Sequence, residues 1–230
     1  MSCEVRRFFV IPDLIRDPFP VNRTKNLQEE YLNFLRGWLK DKEYIALAYM
    51  TGILPIKKYG THSALNMFDE FSMVDQSSLA SYTGFTQDEV HSLCLQYGMD
   101  LADMESWYNG YQLSCRDEEI AIYSPRSVVT ALMRRRYAGY RTQTETYEAL
   151  KIYIDMNYDG LRDAIVAMLA GDRRKINITK YSNDMVTFAG YEDVLTLLVH
   201  LGYLGYDQNT TEVFIPNKDT RVHEAVIEQV

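Results

Sequence analysis

The chain has no long hydrophobic run, little cysteine and no excess of positive charge. No apolar stretch approaches the roughly 18 residues that a bilayer-spanning helix needs, so nothing reads as a membrane segment. The cysteines, Cys3, Cys94 and Cys115, are odd in number and stand at no metal-ligand spacing. They read as reduced thiols of a cytoplasmic protein. The histidines, His62, His91, His200 and His223, form no i, i+4 pair, and no H-E-x-x-H, G-x-S-x-G or paired-cysteine motif occurs. A net charge of −8 argues against a basic sheath for nucleic acid over the whole molecule. No internal repeat or low-complexity tract is present. The absence with most consequence is the G-x-x-x-x-G-K-[ST] loop, whose amides and lysine cradle nucleotide phosphates.

What is present suits a globular core. Apolar residues make up 47% of 230, enough for one large domain or two small ones. The 18 tyrosines suggest packing surfaces that keep a polar handle. Near the N-terminus the apolar patch Phe8 to Ile11 is followed by Asp13, Arg16 and Asp17, so Met1 to Pro20 is not a secretory signal. Asn26, with Glu29 three residues on, is placed to cap a helix to about Lys42, along which Leu27, Tyr31, Leu35, Trp38 and Leu39 form one stripe. Tyr44 to Met50 is a continuous apolar run closed by Thr51-Gly52, and Phe71-Ser72-Met73-Val74 is a second burst. Both read as strands buried on two faces, the grammar of a parallel α/β sheet.

Downstream the local signals are mostly helical. Phe85-Thr86-Gln87-Asp88-Glu89-Val90 combines a capping box with a hydrophobic staple, and that helix stops at Gly98. Asp100 opens the next, through Trp107 to about Gly110. The aromatic cluster Trp107-Tyr108-Asn109-Gly110-Tyr111 reads as helix-end packing plus a turn. Ser114 to Ala121 reads as a hairpin tip. Ser124-Pro125 puts a cap residue before a proline at the first helical position and so starts a helix, with Val128, Val129 and Leu132 on its apolar face and Arg134 to Arg136 at its end. Helices follow over Thr144–Tyr158, Gly160–Ala170 and Glu192–Leu201. A β-hairpin over Leu204–Pro216 turns near Gln208 to Thr210, and a last helix runs from Asp219. A helix leading into a hairpin is the ending of a winged-helix unit.

Several of these motifs resemble, in order, the predicted AAA-ATPase-like family of bacteria. They are Thr51-Gly52-Ile53-Leu54-Pro55-Ile56, Tyr59-Gly60-Thr61-His62-Ser63-Ala64-Leu65-Asn66, Gly84-Phe85-Thr86 with Glu89-Val90, Trp107-Tyr108-Asn109-Gly110-Tyr111, and Tyr123-Ser124-Pro125-Arg126-Ser127-Val128. The resemblance covers about residue 26 to the C-terminus. It implies the C-terminal part of a P-loop ATPase, often followed in relatives by a restriction-endonuclease-like nuclease domain. Relatives open with a Walker A loop and a Walker B strand, and neither occurs here.

The expected fold is therefore α/β and mostly helical: a remnant of a P-loop parallel sheet, a helical lid and a winged-helix-like unit. The expected organisation is an unmatched, poorly ordered leader over 1–25, the ATPase remnant over 26–80, the lid over 81–142 and the C-terminal unit over 143–230.

Thr51 and Gly52 would lie at the carboxyl end of the central strand, where open α/β sheets bind ligands; a strand cap and turn is the plainer reading. By resemblance, Pro125 would pack on the adenine base with Tyr123 as a stacking partner, although Ser-Pro alone explains a helix start. Arg126 and Arg134 to Arg136 suit bidentate phosphate contact, or simply the end of a helix. Intact relatives use ATP with magnesium, whereas this chain alone is expected neither to bind nucleotide tightly nor to hydrolyse it. The alternatives are a protein-interaction or regulatory module, self-associating through an open sheet edge, and a winged-helix nucleic-acid binder. The latter is disfavoured because Glu192–Leu201 carries no Lys or Arg.

Overall fold

The computed structural model describes residues 21–52, 67–115, 118–141, 154, 157–178 and 188–221, with side chains in the first helix from residue 30. The chain divides into two units, Met1–Glu70 and Phe71–Val230.

The first unit is built on helix α1, Val21–Leu39. It begins before Asn26, which is therefore an interior residue and not a cap, and it takes in residues 21–25 of the expected leader. Leu35 and Leu39 are buried, with Tyr31, Leu32, Trp38, Ile45, Ala48, Met50, Met67 and Phe68 packed around them. Phe34 stacks on Trp38 at 6.0 Å between ring centroids. The apolar run after α1 is not a strand. Residues 44–50 pass as turn and irregular chain, with Tyr44, Leu47 and Tyr49 exposed. Tyr44 Oη donates to the Trp38 carbonyl at 3.1 Å, so the run folds back on the helix end.

In the second unit Phe71–Val74 is not a strand either. Ser72 and Asp75 form a single isolated bridge closing a turn, followed by a 3₁₀ helix, Ser77–Tyr82. The expected parallel sheet is thus corrected on both of its strands. All strand pairs among the described residues are antiparallel. The reason is physical: an unbroken apolar run suits burial on two faces, but among the described residues no neighbouring strand pairs with it. The open sheet edge expected to invite self-association was placed on those two segments, and neither forms a strand.

The remaining elements follow local chemistry closely. Helix α2, Gln87–Tyr97, opens on the Thr86/Glu89 capping box, with the Thr86 amide donating to Glu89 Oε2 at 2.8 Å. It closes at Gly98 in the left-handed conformation. Asp100 accepts from the Asp103 amide at 2.9 Å and starts α3, Leu101–Tyr108. Strands β1, Tyr111–Cys115, and β2, Glu118–Ile122, pair directly. The expected hairpin tip therefore shrinks, because most of Ser114 to Ala121 pairs across the ladder. Tyr111 and Leu113 alternate inward on β1 and pack with Ile122 and Ala80.

Helix α4 is Pro125–Arg134 and α5 is Leu161–Leu169. Helix α6, Tyr191–His200, is buried from Val194 through Val199. It leads into a hairpin of β4, Gly205–Asp207, and β5, Glu212–Phe214, with β3, Arg174–Lys175, on the other side of β5. Helix α7 is Lys218–Arg221. The expected helix over Thr144–Tyr158 lies outside the described residues except at its end, and most of the last helix lies beyond them too. The main core gathers Val90, Cys94, Met104, Tyr108, Tyr123, Val128, Ala131 and Leu132 from α2, α3 and α4. Among the described residues no helix is long and apolar enough to cross a membrane.

Candidate functional site

The start of α4 is the best-defined polar feature of the second unit. Pro125 takes the first helical position, where its missing N–H is no loss, and Ser124 precedes it with extended backbone. Ser124 does not cap the helix. Its side chain turns inward and donates to Ser127 Oγ at 3.2 Å. Among the described residues no side chain accepts from the first-turn amides of α4, at the end of the helix that carries partial positive charge. Pro125 and Arg126 stand exposed at that end.

Beneath it lies a buried polar network. Ser127 Oγ donates to Asp219 Oδ2 at 2.5 Å, and the Tyr140 amide donates to Asp219 Oδ1 at 2.6 Å. Asp219 is only 1% exposed. Both of its oxygens are held by donors, and among the described residues no cation pairs with it. Asn217 Nδ2 donates to the Asn109 carbonyl at 2.7 Å, while Asn217 Oδ1 accepts from the Thr220 amide at 3.2 Å and so starts α7. The chain at Pro216 comes so near the end of α3 that a Cβ on Gly110 would clash with the Pro216 carbonyl oxygen. Gly110 also has φ +104°. Both facts require glycine there. The end of α3, the start of α4 and α7 are in this way tied together.

A second tie lies near α6. Arg141 Nη1 donates to Tyr111 Oη at 2.7 Å and to the Gly202 carbonyl, and its guanidinium lies over the Tyr203 ring at 5.7 Å. A cation on the carbonyls just past the end of α6 is favourable toward the helix dipole.

The sequence-predicted residues fall in different places. Tyr123 is fully buried in the main core and its hydroxyl donates to Gln87 Oε1 at 2.6 Å. Burial, aided by the nearby Glu105 charge, pushes that hydroxyl up to about 12. Its ring supports the helix start from below and shows no face to solvent. Pro125 and Arg126 are brought together at the surface. Thr51 and Gly52 are exposed in irregular chain of the first unit, and no strand leads to them, so their expected place at a strand's carboxyl end is corrected. Arg134 lies over the Tyr140 ring at 5.5 Å, and Arg135 and Arg136 are exposed. Tyr108 and Tyr111 of the aromatic cluster are core residues, as read.

Sequence reasoning missed the Ser127–Asp219 pair. A partial signal existed, since Asn217-Lys218-Asp219-Thr220 begins with a good cap residue. Asp219 itself carries no local mark of burial.

An open depression of about 440 Å³ along α2 is lined by Phe85, Asp88, Glu89, Ser92 and Leu93, and its acids are the wrong sign for phosphate. Among the described residues no group of three His, Cys, Asp or Glu side chains is placed to hold a metal ion. Comparison with known proteins found no matching family model, no matching curated protein and no matching solved structure.

Proposed function

We propose that the chain carries the lid and C-terminal region of an AAA-like P-loop ATPase, with the start of α4 as its nucleotide-facing surface. The observation that carries this reading is the exposed Pro125-Arg126 pair on a helix end whose own serine has turned away. Uncapped amides and an arginine are what an anionic phosphate needs, and a rigid proline ring gives a purine base a desolvated seat. The motif Tyr123-Ser124-Pro125-Arg126-Ser127-Val128 supports it by resemblance. The Ser127–Asp219 bond would pass a shift of this helix to α7 and the chain beyond.

In this reading ATP with magnesium is the nucleotide of intact relatives. The described residues suit its base and phosphate but gather no set of ligands for the metal. Phosphoryl transfer needs a phosphate loop, its lysine and a metal-binding acid. With neither Walker motif in the sequence, the chain alone binds nucleotide weakly and does not turn it over. A nucleic-acid role for the helix–hairpin ending has less to stand on, because α6 is buried from Val194 to Val199 and offers no free face to a groove.

The test is titration of the purified chain with a fluorescent ATP analogue, alongside a phosphate-release assay. Weak, salt-sensitive binding that Arg126→Glu abolishes and Thr51→Ala leaves intact is expected, with no release above background. Binding indifferent to Arg126→Glu, or turnover lost on Thr51→Ala, overturns the reading.

A further inference from the structure

The outer face of α4 carries features that neither folding nor the nucleotide reading uses. Val128, Ala131 and Leu132 point into the core. Val129 and Met133, four residues apart and so on one face, point out and are 42% and 78% exposed. Arg134, Arg135 and Arg136 follow at once, all exposed. Arg134 lies over Tyr140. Among the described residues no carboxylate forms an ion pair with Arg135 or Arg136. This patch is basic in a chain of net charge −8.

The ordinary explanation is incomplete. One cation in the last turn satisfies the helix dipole, and Arg134 supplies it. Arg135 occupies the C-cap with φ 50° and ψ 41°. Glycine or asparagine takes that left-handed conformation at lower cost. An arginine kept at a strained position, beside two exposed aliphatic side chains, is a reason to look for a partner.

We propose that this face docks an acidic amphipathic helical segment of a partner protein. Its apolar side chains would sit on Val129 and Met133, and its carboxylates would meet Arg135 and Arg136. Charge complementarity selects the acidic partner, and the aliphatic pair selects a protein. A phosphate backbone needs cations but no aliphatic seat, and unpaired bases are held by aromatic rings, of which the exposed face of α4 has none. A lipid surface would require the apolar side of the helix to be immersed, but that side is already in the core. Methionine suits such a seat because its unbranched side chain adapts to irregular surfaces. The arrangement is the familiar one of a helix laid along apolar anchors with charged flanks.

The test is fluorescence anisotropy on the full chain with a labelled peptide of Glu and Leu, its leucines at i, i+3, i+4 and i+7. The comparison ligands are the same composition with leucines scattered, a version with Lys for Glu, a single-stranded DNA oligonucleotide and phosphatidylserine vesicles. Sedimentation of the protein alone is run beside them. Salt-sensitive binding of the first peptide only is expected, weakened about tenfold or more by Met133→Asp and by Arg136→Glu. Both sites are exposed, so the variants fold. Arg135→Gly should weaken binding while raising the thermal midpoint, since glycine relieves the strain. If Arg135 were only structural, that variant would be more stable and bind unchanged, and the proposal would fail. It fails equally if no peptide binds, if the scattered peptide, DNA or vesicles bind as well, or if the protein self-associates through this face in a manner lost on Met133→Asp.

Discussion

Two apolar runs of this chain have opposite fates. Val194 to Val199 in α6 is buried throughout, with Val194, Leu195 and Leu197 at 0% exposure. Tyr44 to Met50 is irregular chain, with Tyr44, Leu47 and Tyr49 at 66%, 62% and 57%. The difference lies in what surrounds each. Helix α6 satisfies its own backbone and packs against α5, and the hairpin that follows it carries buried Tyr206 and Val213. Even Thr196 is satisfied within the helix, donating to the Glu192 carbonyl at 2.8 Å. The run after α1 has one helix end to lie on, so Ile45, Ala48 and Met50 find partial cover and the side chains between them do not. Hydrophobicity creates a demand for burial, and only neighbouring elements can meet it.

The sharpest way to break the comparison is to empty the buried run. Leu197→Ala should cost about 3 kcal/mol by removing apolar contact and leaving a cavity. Urea unfolding followed by circular dichroism measures it. A loss under about 1 kcal/mol would mean that α6 is not the packed element described.

What was legible in the sequence tracks how far apart the interacting residues stand. The Thr86–Glu89 box, the Asp100 cap, the Gly98 stop and the Ser124-Pro125 start all act within a few residues, and each is present. The helix over Leu161–Leu169 and the helix–hairpin ending were legible for the same reason, as periodicity and turn residues are local. The strands at Tyr44 and Phe71 were misread because a parallel sheet is a long-range arrangement that one apolar run cannot specify. Val129 was placed on the inner face of α4 beside Val128, yet one residue along a helix turns about 100° and carries it outward. In the candidate site, Pro125 and Arg126 were legible as a helix start. The Ser127–Asp219 bond joins residues 92 apart and could be seen only once folded.

The end of the buried run gives a second, smaller test. Loss of water holds His200 well below its ordinary value of 6.5, at about 4. A base with a lowered folded value takes its proton more readily when unfolded. Above pH 6.5 the ring is neutral in both states and contributes no pH dependence. As pH falls from 6.5 toward 4, the unfolded chain binds the proton first and stability declines. The decline should be about 2 kcal/mol, less than the full shift implies because the ring keeps some contact with water. Comparing thermal midpoints of the wild type and His200→Gln between pH 7 and 5 isolates it from carboxylates that titrate lower. A variant with an unchanged acid slope would place the histidine in water and shorten the buried run at its end.

The smallest expected effect falls on the other run and bears most on the fold. Leu47→Ser removes a large apolar side chain, which in a strand buried on both faces would cost several kcal/mol. At a site 62% exposed it should change stability by no more than about 0.5 kcal/mol, and it may be run beside Leu197→Ala under the same conditions. Equal losses in the two variants would erase the contrast between the runs and restore a buried strand at Tyr44 to Met50. A near-silent Leu47→Ser leaves the described part of the first unit as a helix with a half-covered loop, the opposite of the packed run in α6.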